Sequence, residues 1–269
     1  MADLALLRNR NLERWKAAKL TRAGEFRPVA ARLVAAKLRY QAVEAQTGVP
    51  WYFIAVTHQR ESSQRWDRSL AQGDPWNRVS VHVPRGRGPF ASWEAAAIDA
   101  LVNCHPYVAR NTDWSIGTLL TELEKYNGVG YANKGIPSPY LWSGTDQYQR
   151  GKYVADGKFD ANAVDRQLGC AGLLLAMQAL DPSIKLEGKT VTLPPPPKVD
   201  GKTGTAGGIA AGGAVAAQQA AANGVEPWTV ALIVAAVVVL AIVAYVLVKR
   251  SSERPAPREP EHEPEATND

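Results

Sequence analysis

Cysteine is scarce in this 269-residue sequence, which contains only Cys104 and Cys170. Two cysteines form at most one bridge, and this excludes a small scaffold held together by several disulfides. The two cysteines could form one disulfide bridge or remain two buried thiols, and we favour thiols. No His, Cys and Asp residues have the spacing of a zinc site, and no glycine pair has the setting of a dinucleotide-binding loop. We therefore expect no metal and no cofactor.

Internal repeats and long strand patterns are also missing. No self-similarity occurs at periods of 20 to 50 residues, which argues against a repeat architecture. Strand-like alternation extends no further than residues 78–83. The first twenty residues place a short apolar patch before their arginines, the reverse of a secretory signal. We expect this segment to form an amphipathic helix instead, with Leu4, Leu7, Leu12 and Trp15 on one face.

The remaining periodicities are mostly helical. Apolar spacing predicts a helix over 29–47 that ends at Gly48, and a second over 51–60 that begins after Pro50. Ser92 is suited to cap a helix over 93–102. Further helices are predicted over 115–126 and, as one or two segments, over 160–180, with loops at 72–90 and 128–145. The predicted fold class is mainly α.

One long hydrophobic run, residues 228–248, contains no charged residue. At ~1.5 Å per residue it is long enough to cross a ~30 Å hydrocarbon layer. A buried core helix is the less favoured alternative because soluble cores seldom contain such a run. We predict a folding domain at 1–192, a Pro-rich then Gly/Ala-rich linker at 193–227, a transmembrane helix at 228–248 and a disordered charged tail at 249–269.

Glu61 is the residue best suited to proton transfer. It follows the predicted helix 51–60 and precedes Ser62 and the aromatic Trp66. A carboxyl at a helix end beside an apolar ring has the setting that raises its pKa, so that it can act as a general acid. A solvated surface glutamate is the alternative interpretation.

Residues 54–66, IAVTHQRESSQRW, resemble the first motif of the lysozyme-like lytic transglycosylases and goose-type lysozymes. In those families an apolar helix ends in Glu-Ser, and an aromatic residue follows the serine at a distance of four. The resemblance implies that Glu61 is the catalytic acid and that Ser62 belongs to the substrate site.

A second stretch, EKYNGVGY at 124–131, looks like the Tyr-Asn-Ala-Gly motif that lines the sugar cleft of the same families, with Gly128 in place of alanine. The loop SPYLWS at 138–143 supplies aromatics where those families often have a further active-site tyrosine. Residues 70–87 and 140–160 also resemble phage endolysins of this superfamily. The resemblance implies a lysozyme-like helical domain in which four residues hold the sugars: Tyr126, Asn127, Tyr140 and Trp142.

The usual Gly-Leu-Met-Gln motif is missing after Glu61, and residues 71–76 and 83–89 stand in its place. We expect this loop to form a different floor of the cleft and to bring Asp74 toward the sugar. Retaining hydrolysis needs two carboxyls ~5 Å apart, and inverting hydrolysis needs ~6.5–9.5 Å. Asp74 is the predicted second catalytic carboxylate and Asp67 is the other nearby candidate. A turn or capping role is the alternative for each.

These features predict an endolysin-like muramidase that binds and cleaves peptidoglycan glycan strands. The alternatives are a lytic transglycosylase that forms 1,6-anhydro products, and an inactive membrane-tethered wall-binding or virion protein. The formal charge of +5 suits a polyanion, either nucleic acid or cell wall. Because no nucleic-acid-binding motif is present, we do not expect nucleic acid as a partner.

Basic residues follow the predicted span at 249, 250, 254 and 258. By the positive-inside rule they keep the tail cytoplasmic, and the catalytic domain then faces the cell wall. The missing export signal argues for the opposite orientation. We expect a single-pass protein of the host inner membrane, encoded by a phage or prophage. Its domain would reach the wall by translocation or after membrane disruption.

Overall fold

The computed structural model describes residues 3–71, 73–188 and 190–196, which belong to one unit, Met1–Lys202. Helices dominate these residues, so the predicted mainly α class is confirmed. In chain order the elements are α1 (Leu4–Ala17), α2 (Ala23–Ala35), α3 (Lys37–Thr47), α4 (Trp51–Ser62), α5 (Trp93–Val102), a 3-10 turn (Val108–Arg110), α6 (Ile116–Asn127), α7 (Gly130–Asn133), α8 (Pro139–Trp142), β1 (Lys152–Ala155), β2 (Lys158–Asp160) and α9 (Cys170–Leu180).

Local capping explains where several helices begin and end. The Asp3 carboxylate accepts hydrogen bonds from two backbone N–H groups in the first turn of α1, at 2.9 and 3.1 Å. The predicted Ser92 cap is confirmed, since its Oγ accepts the N–H of Ala95 at 3.1 Å. The predicted stop at Gly48 is also confirmed, with a φ of 70° that a side chain would disfavour.

Three predicted elements were wrong in their extent or type. The helix expected over 29–47 is interrupted at Ala36, where α2 ends and α3 begins. The helical segment expected from residue 160 begins only at Cys170. The Asp160 carboxylate turns the chain there, because it accepts the N–H groups two and three residues later. The segment 128–145, expected to be a loop, contains the short helices α7 and α8. The strands of the described residues are β1 and β2, which form an antiparallel hairpin.

The core is built around α4, whose side chains from Phe53 to His58 are all buried. This helix contacts α2, α3, α6 and α9. α9 lies close against α2, and a Cβ added at Gly172 would lie 2.2 Å from the Phe26 ring. Packing on several sides therefore fixes the direction in which α4 delivers its last turn. Both cysteines are buried free thiols, as predicted.

Among the described residues, no helix is long and apolar enough to cross a membrane. The predicted span at 228–248, the predicted tail and the predicted linker from residue 197 onward lie outside the described residues.

Candidate active site

Glu61 lies in the last turn of α4, where the chain leaves the core. Its Oε1 accepts a hydrogen bond from the Tyr140 hydroxyl at 3.0 Å. Burial raises the pKa of Glu61 from 4.5 to about 7, although the Tyr140 hydroxyl and the Arg60 guanidinium both act to lower it. The residue as a whole is only half-buried. A carboxyl with these properties is substantially protonated at neutral pH and can donate its proton to a bound group.

Tyr140 is held in place by α4 and by the start of α9. It lies on α8, which begins at Pro139, and its side chain is 3% exposed. The Arg60 guanidinium lies over its ring, 4.9 Å from the centroid. α8 is also pressed against the start of α9, since a Cβ at Gly169 would lie 2.3 Å from the Leu141 carbonyl oxygen. The hydroxyl is therefore fixed where it can meet Glu61.

Arg60 forms a buried ion pair with Asp165, with a distance of 3.0 Å between Nη2 and Oδ2. The two side chains are 6% and 3% exposed. Lys152 approaches the other oxygen of Asp165 at 3.2 Å. Burial acts to raise the pKa of Asp165, but the Arg60 charge and further hydrogen bonds outweigh it and hold that pKa below its ordinary value. Asp165 therefore stays ionised and anchors the guanidinium that supports Tyr140.

A cavity of about 540 Å³ opens beside these residues. Its volume is in the range of small-molecule sites in proteins. Glu61 does not line the cavity directly, but Arg60 and Tyr140 do. Tyr140 acts on the Glu61 carboxyl through its hydrogen bond, and Arg60 acts on it through its charge. The wall combines charged groups, two further tyrosines and the turn of the β1–β2 hairpin. The lining residues are Arg60, Asn127, Gly128, Gly130, Tyr131, Pro139, Tyr140, Lys152, Tyr153, Ala155, Asp156, Gly157, Asp165 and Gln167.

The predicted sugar-binding residues have different surroundings. Tyr140 and Asn127 line the cavity. The Tyr126 hydroxyl donates to the Leu70 carbonyl at 3.1 Å, and burial together with the nearby Glu61 charge raises the pKa of Tyr126. Trp142 is fully buried in the core and has no exposed face on which a sugar could stack. The prediction that Trp142 holds a sugar is therefore wrong.

Ser62 was predicted to belong to the substrate site. Its hydroxyl donates to the backbone carbonyl of His58, one helical turn earlier, at 3.2 Å. Ser62 is half-buried and is not among the residues that line the cavity. Its predicted contact with substrate stays a prediction.

Asp74 is bound to the loop that follows it. One carboxylate oxygen accepts the N–H groups of Val81 and His82 at 2.9 and 3.0 Å, and the other lies 2.7 Å from Nδ1 of His82. The backbone hydrogen bond from His82 is the largest of the effects that lower the pKa of Asp74. These contacts are those of a residue that organises a loop. Asp67 is exposed and pairs with Arg65. The catalytic role of Asp74 stays a prediction.

His58 is a packing residue in this structure. Its Nε2 lies 3.0 Å from the Arg65 carbonyl and its Nδ1 lies 3.0 Å from the Tyr40 hydroxyl. A carbonyl only accepts, so Nε2 carries the proton and Nδ1 accepts from the tyrosine. Burial lowers the pKa of His58 to about 4, which keeps the ring neutral.

Sequence reasoning did not identify five of the residues at this site. Tyr131 ends the second motif but was given no role, and Arg60 stands next to the assigned acid. Lys152, Tyr153 and Asp165 lie outside both motifs, and no local pattern marks them. The contact between Arg60 and Asp165 spans 105 positions of the chain, so it follows only from the packing.

Among the described residues, no group of three or more His, Cys, Asp or Glu side chains could hold a metal ion. Comparison of the chain with protein-family models, curated proteins and solved structures found no match.

Proposed function

We propose that this protein cleaves the glycan strand of peptidoglycan as a muramidase, with Glu61 as the general acid in a lysozyme-like helical domain. The observation that carries this proposal is the Glu61 carboxyl, which has a pKa of about 7 and is bonded to Tyr140 at the edge of the cavity. The resemblance of residues 54–66 and 124–131 to the motifs of wall-cleaving families supports the choice of substrate.

In this mechanism Glu61 protonates the glycosidic oxygen while the bond to the muramic acid breaks. The sugar passes through an oxocarbenium-like transition state. The Tyr140 hydroxyl donates to the carboxylate that remains, and this hydrogen bond strengthens as the negative charge develops. Tyr131, Tyr153 and Asn127 offer rings and an amide to the sugars that occupy the cavity.

Hydrolysis needs a water molecule and usually a second carboxylate to direct it. Asp74 is the predicted partner, and Asp74→Asn should then slow turnover strongly while the walls are still bound. Unchanged turnover would remove Asp74 from the mechanism.

The second candidate is a lytic transglycosylase, in which the 6-hydroxyl of the sugar attacks in place of water. It is favoured by the engagement of Asp74 with Val81 and His82, and of Asp165 with Arg60. Mass spectrometry of the released muropeptides separates the two reactions, because the anhydro product is lighter by one water.

The direct test of cleavage uses the purified full chain and a turbid suspension of peptidoglycan. Wild-type protein should clear the suspension, and Glu61→Gln should be slower by roughly 10²–10⁴-fold because it lacks the transferable proton. Glu13→Gln is the matched control, since Glu13 is 70% exposed and forms its ion pair with Lys16 on its own helix. Wild-type activity in Glu61→Gln would refute the assignment. Binding to walls without clearing would favour the inactive wall-binding alternative.

We also propose that the chain is held in the inner membrane by residues 228–248, with the catalytic domain facing the wall. The hydrophobic run and the basic residues that follow it support this orientation. Protease added to spheroplasts that express the full chain should digest the domain. Protection while the membrane stays intact would show that membrane disruption must precede access to the wall.

A further inference from the structure

The loop of residues 78–87, here called the valine loop, exposes its apolar side chains and buries a polar one. Val79, Val81 and Val83 are 54%, 68% and 78% exposed, whereas Ser80 between them is 6% exposed. Soluble loops usually show the opposite arrangement, and clustered exposed apolar residues often mark a contact surface.

Hydrogen bonds hold the valine loop in this conformation. The Ser80 hydroxyl donates to the Pro84 carbonyl at 2.7 Å and accepts the N–H of Arg87 at 3.0 Å. The Ser80 N–H in turn donates to the Arg87 carbonyl at 2.9 Å. The buried Asp74 carboxylate accepts two further N–H groups of the loop, those of Val81 and His82. The outward display of the valines is therefore part of a defined structure.

The charged side chains of the valine loop itself are basic, and the carboxylates that contact the loop are the buried Asp74 and Asp99. Residues 75–93 contain no Asp or Glu. Arg78 and Arg85 are exposed, and neither forms an ion pair with a described residue. Arg87, in contrast, is directed to Asp99 on α5. Two guanidinium groups that have no ion-pair partner in the described part of the chain thus flank an exposed apolar tip.

We propose that the valine loop docks on a bilayer that contains anionic phospholipid. The valines would enter the boundary between headgroups and acyl chains, while Arg78 and Arg85 pair with the lipid phosphates. Wall polymers also carry anionic groups, but they offer no apolar phase for three valine side chains. The inference goes beyond the proposed glycan cleavage and does not depend on it.

The test is a fluorescent reporter of lipid contact in the full chain. An environment-sensitive dye is attached at Val81→Cys, and the protein is reconstituted into phosphatidylglycerol or phosphatidylcholine vesicles. Cys104 and Cys170 are buried, so the introduced thiol is the reactive one. In phosphatidylglycerol the emission should shift to the blue and be quenched by a lipid-borne quencher. In phosphatidylcholine both effects should be weak. Val83→Cys provides a second reporter site should the first variant fold poorly.

Leu38→Cys is the matched control because Leu38 is 82% exposed and also lies between two cations. Those cations, Lys37 and Arg39, are already paired with Asp181 and Glu94. A label there should report water in both kinds of vesicle. A label at Val81 that also reports water in both, or that shifts equally in both, would overturn the proposal.

The charge contribution is tested by Arg78→Gln combined with Arg85→Gln in the labelled chain. Each arginine near an anionic surface contributes a factor of roughly five to partitioning, so the pair should weaken docking by roughly 25-fold. Undiminished docking would refute the role of the arginines. Docking on purified cell walls but not on vesicles would replace lipid by a wall polymer and overturn the proposal.

Discussion

Glu61→Gln is expected to stabilise the protein in alkaline solution while it slows cleavage. The pKa of Glu61 is about 7 in the folded protein against an ordinary value of 4.5, and each pKa unit corresponds to about 1.4 kcal/mol. Ionising this carboxyl therefore costs the folded state at most about 3–4 kcal/mol. The half-buried residue keeps some contact with solvent, so we expect about 2 kcal/mol after screening by water.

The sign of the effect follows from the raised pKa. A carboxyl that binds its proton more tightly when folded stabilises the protein fully below pH 4.5, and this contribution is lost as the pH rises through about 7. Glutamine does not ionise. The free energy of unfolding of Glu61→Gln minus that of the wild type should thus rise between these pH values and then level off.

The measurement is urea unfolding of both proteins at pH 4 and pH 8. Other titrating groups, such as the buried Glu124 whose pKa burial also raises, are present in both proteins and cancel in the difference. The exposed control Glu13→Gln should show less than about 0.5 kcal/mol of change between the two pH values. A constant difference between Glu61→Gln and the wild type would show that the Glu61 carboxyl is not desolvated, and the argument for a general acid would fail with it.

Three further variants test the surroundings of Glu61 and the core. Tyr140→Phe removes the donor that lowers the pKa of Glu61, so the alkaline limb of the activity profile should move up by about one pH unit; an unmoved limb would contradict the hydrogen bond. Asp165→Asn leaves a buried guanidinium unpaired and should lower the free energy of unfolding in urea by about 3 kcal/mol. A loss of less than about 1 kcal/mol would contradict a stabilising ion pair between Arg60 and Asp165. Gly172→Ala forces a Cβ against Phe26 and should lower stability by about 1–2 kcal/mol despite the better helix propensity, whereas a gain would show that the contact relaxes.

Local sequence patterns were sufficient for the helical class and for several helix ends. Ser92 caps α5 and Gly48 ends α3, as predicted, because both effects act within one turn of the backbone. The break at Ala36 was missed because α2 and α3 together present an almost unbroken helical pattern. The hairpin of β1 and β2 was missed because strands of three and four residues are too short to show alternation.

At the candidate site, too, the sequence predicted some residues correctly and others depended on the packing. The helix end and the adjacent aromatic marked Glu61 from the sequence. Trp142, in contrast, was predicted to touch sugar because of its type and its place in an aromatic loop. Whether an aromatic side chain faces a cavity or the core depends on how its short helix packs, and in α8 Tyr140 and Trp142 are two positions apart with different environments.

The sequence by itself determined the helical class, several helix ends and the carboxyl at the end of α4, because periodicity and capping are encoded over a few neighbouring residues. Only the tertiary structure decided what that carboxyl can do. Its hydrogen-bond donor, Tyr140, lies 79 positions away, and the Asp165 that anchors Arg60 lies 105 positions from its partner. The pKa of Glu61 depends on the burial and charge that these distant residues create, and no local pattern encodes them.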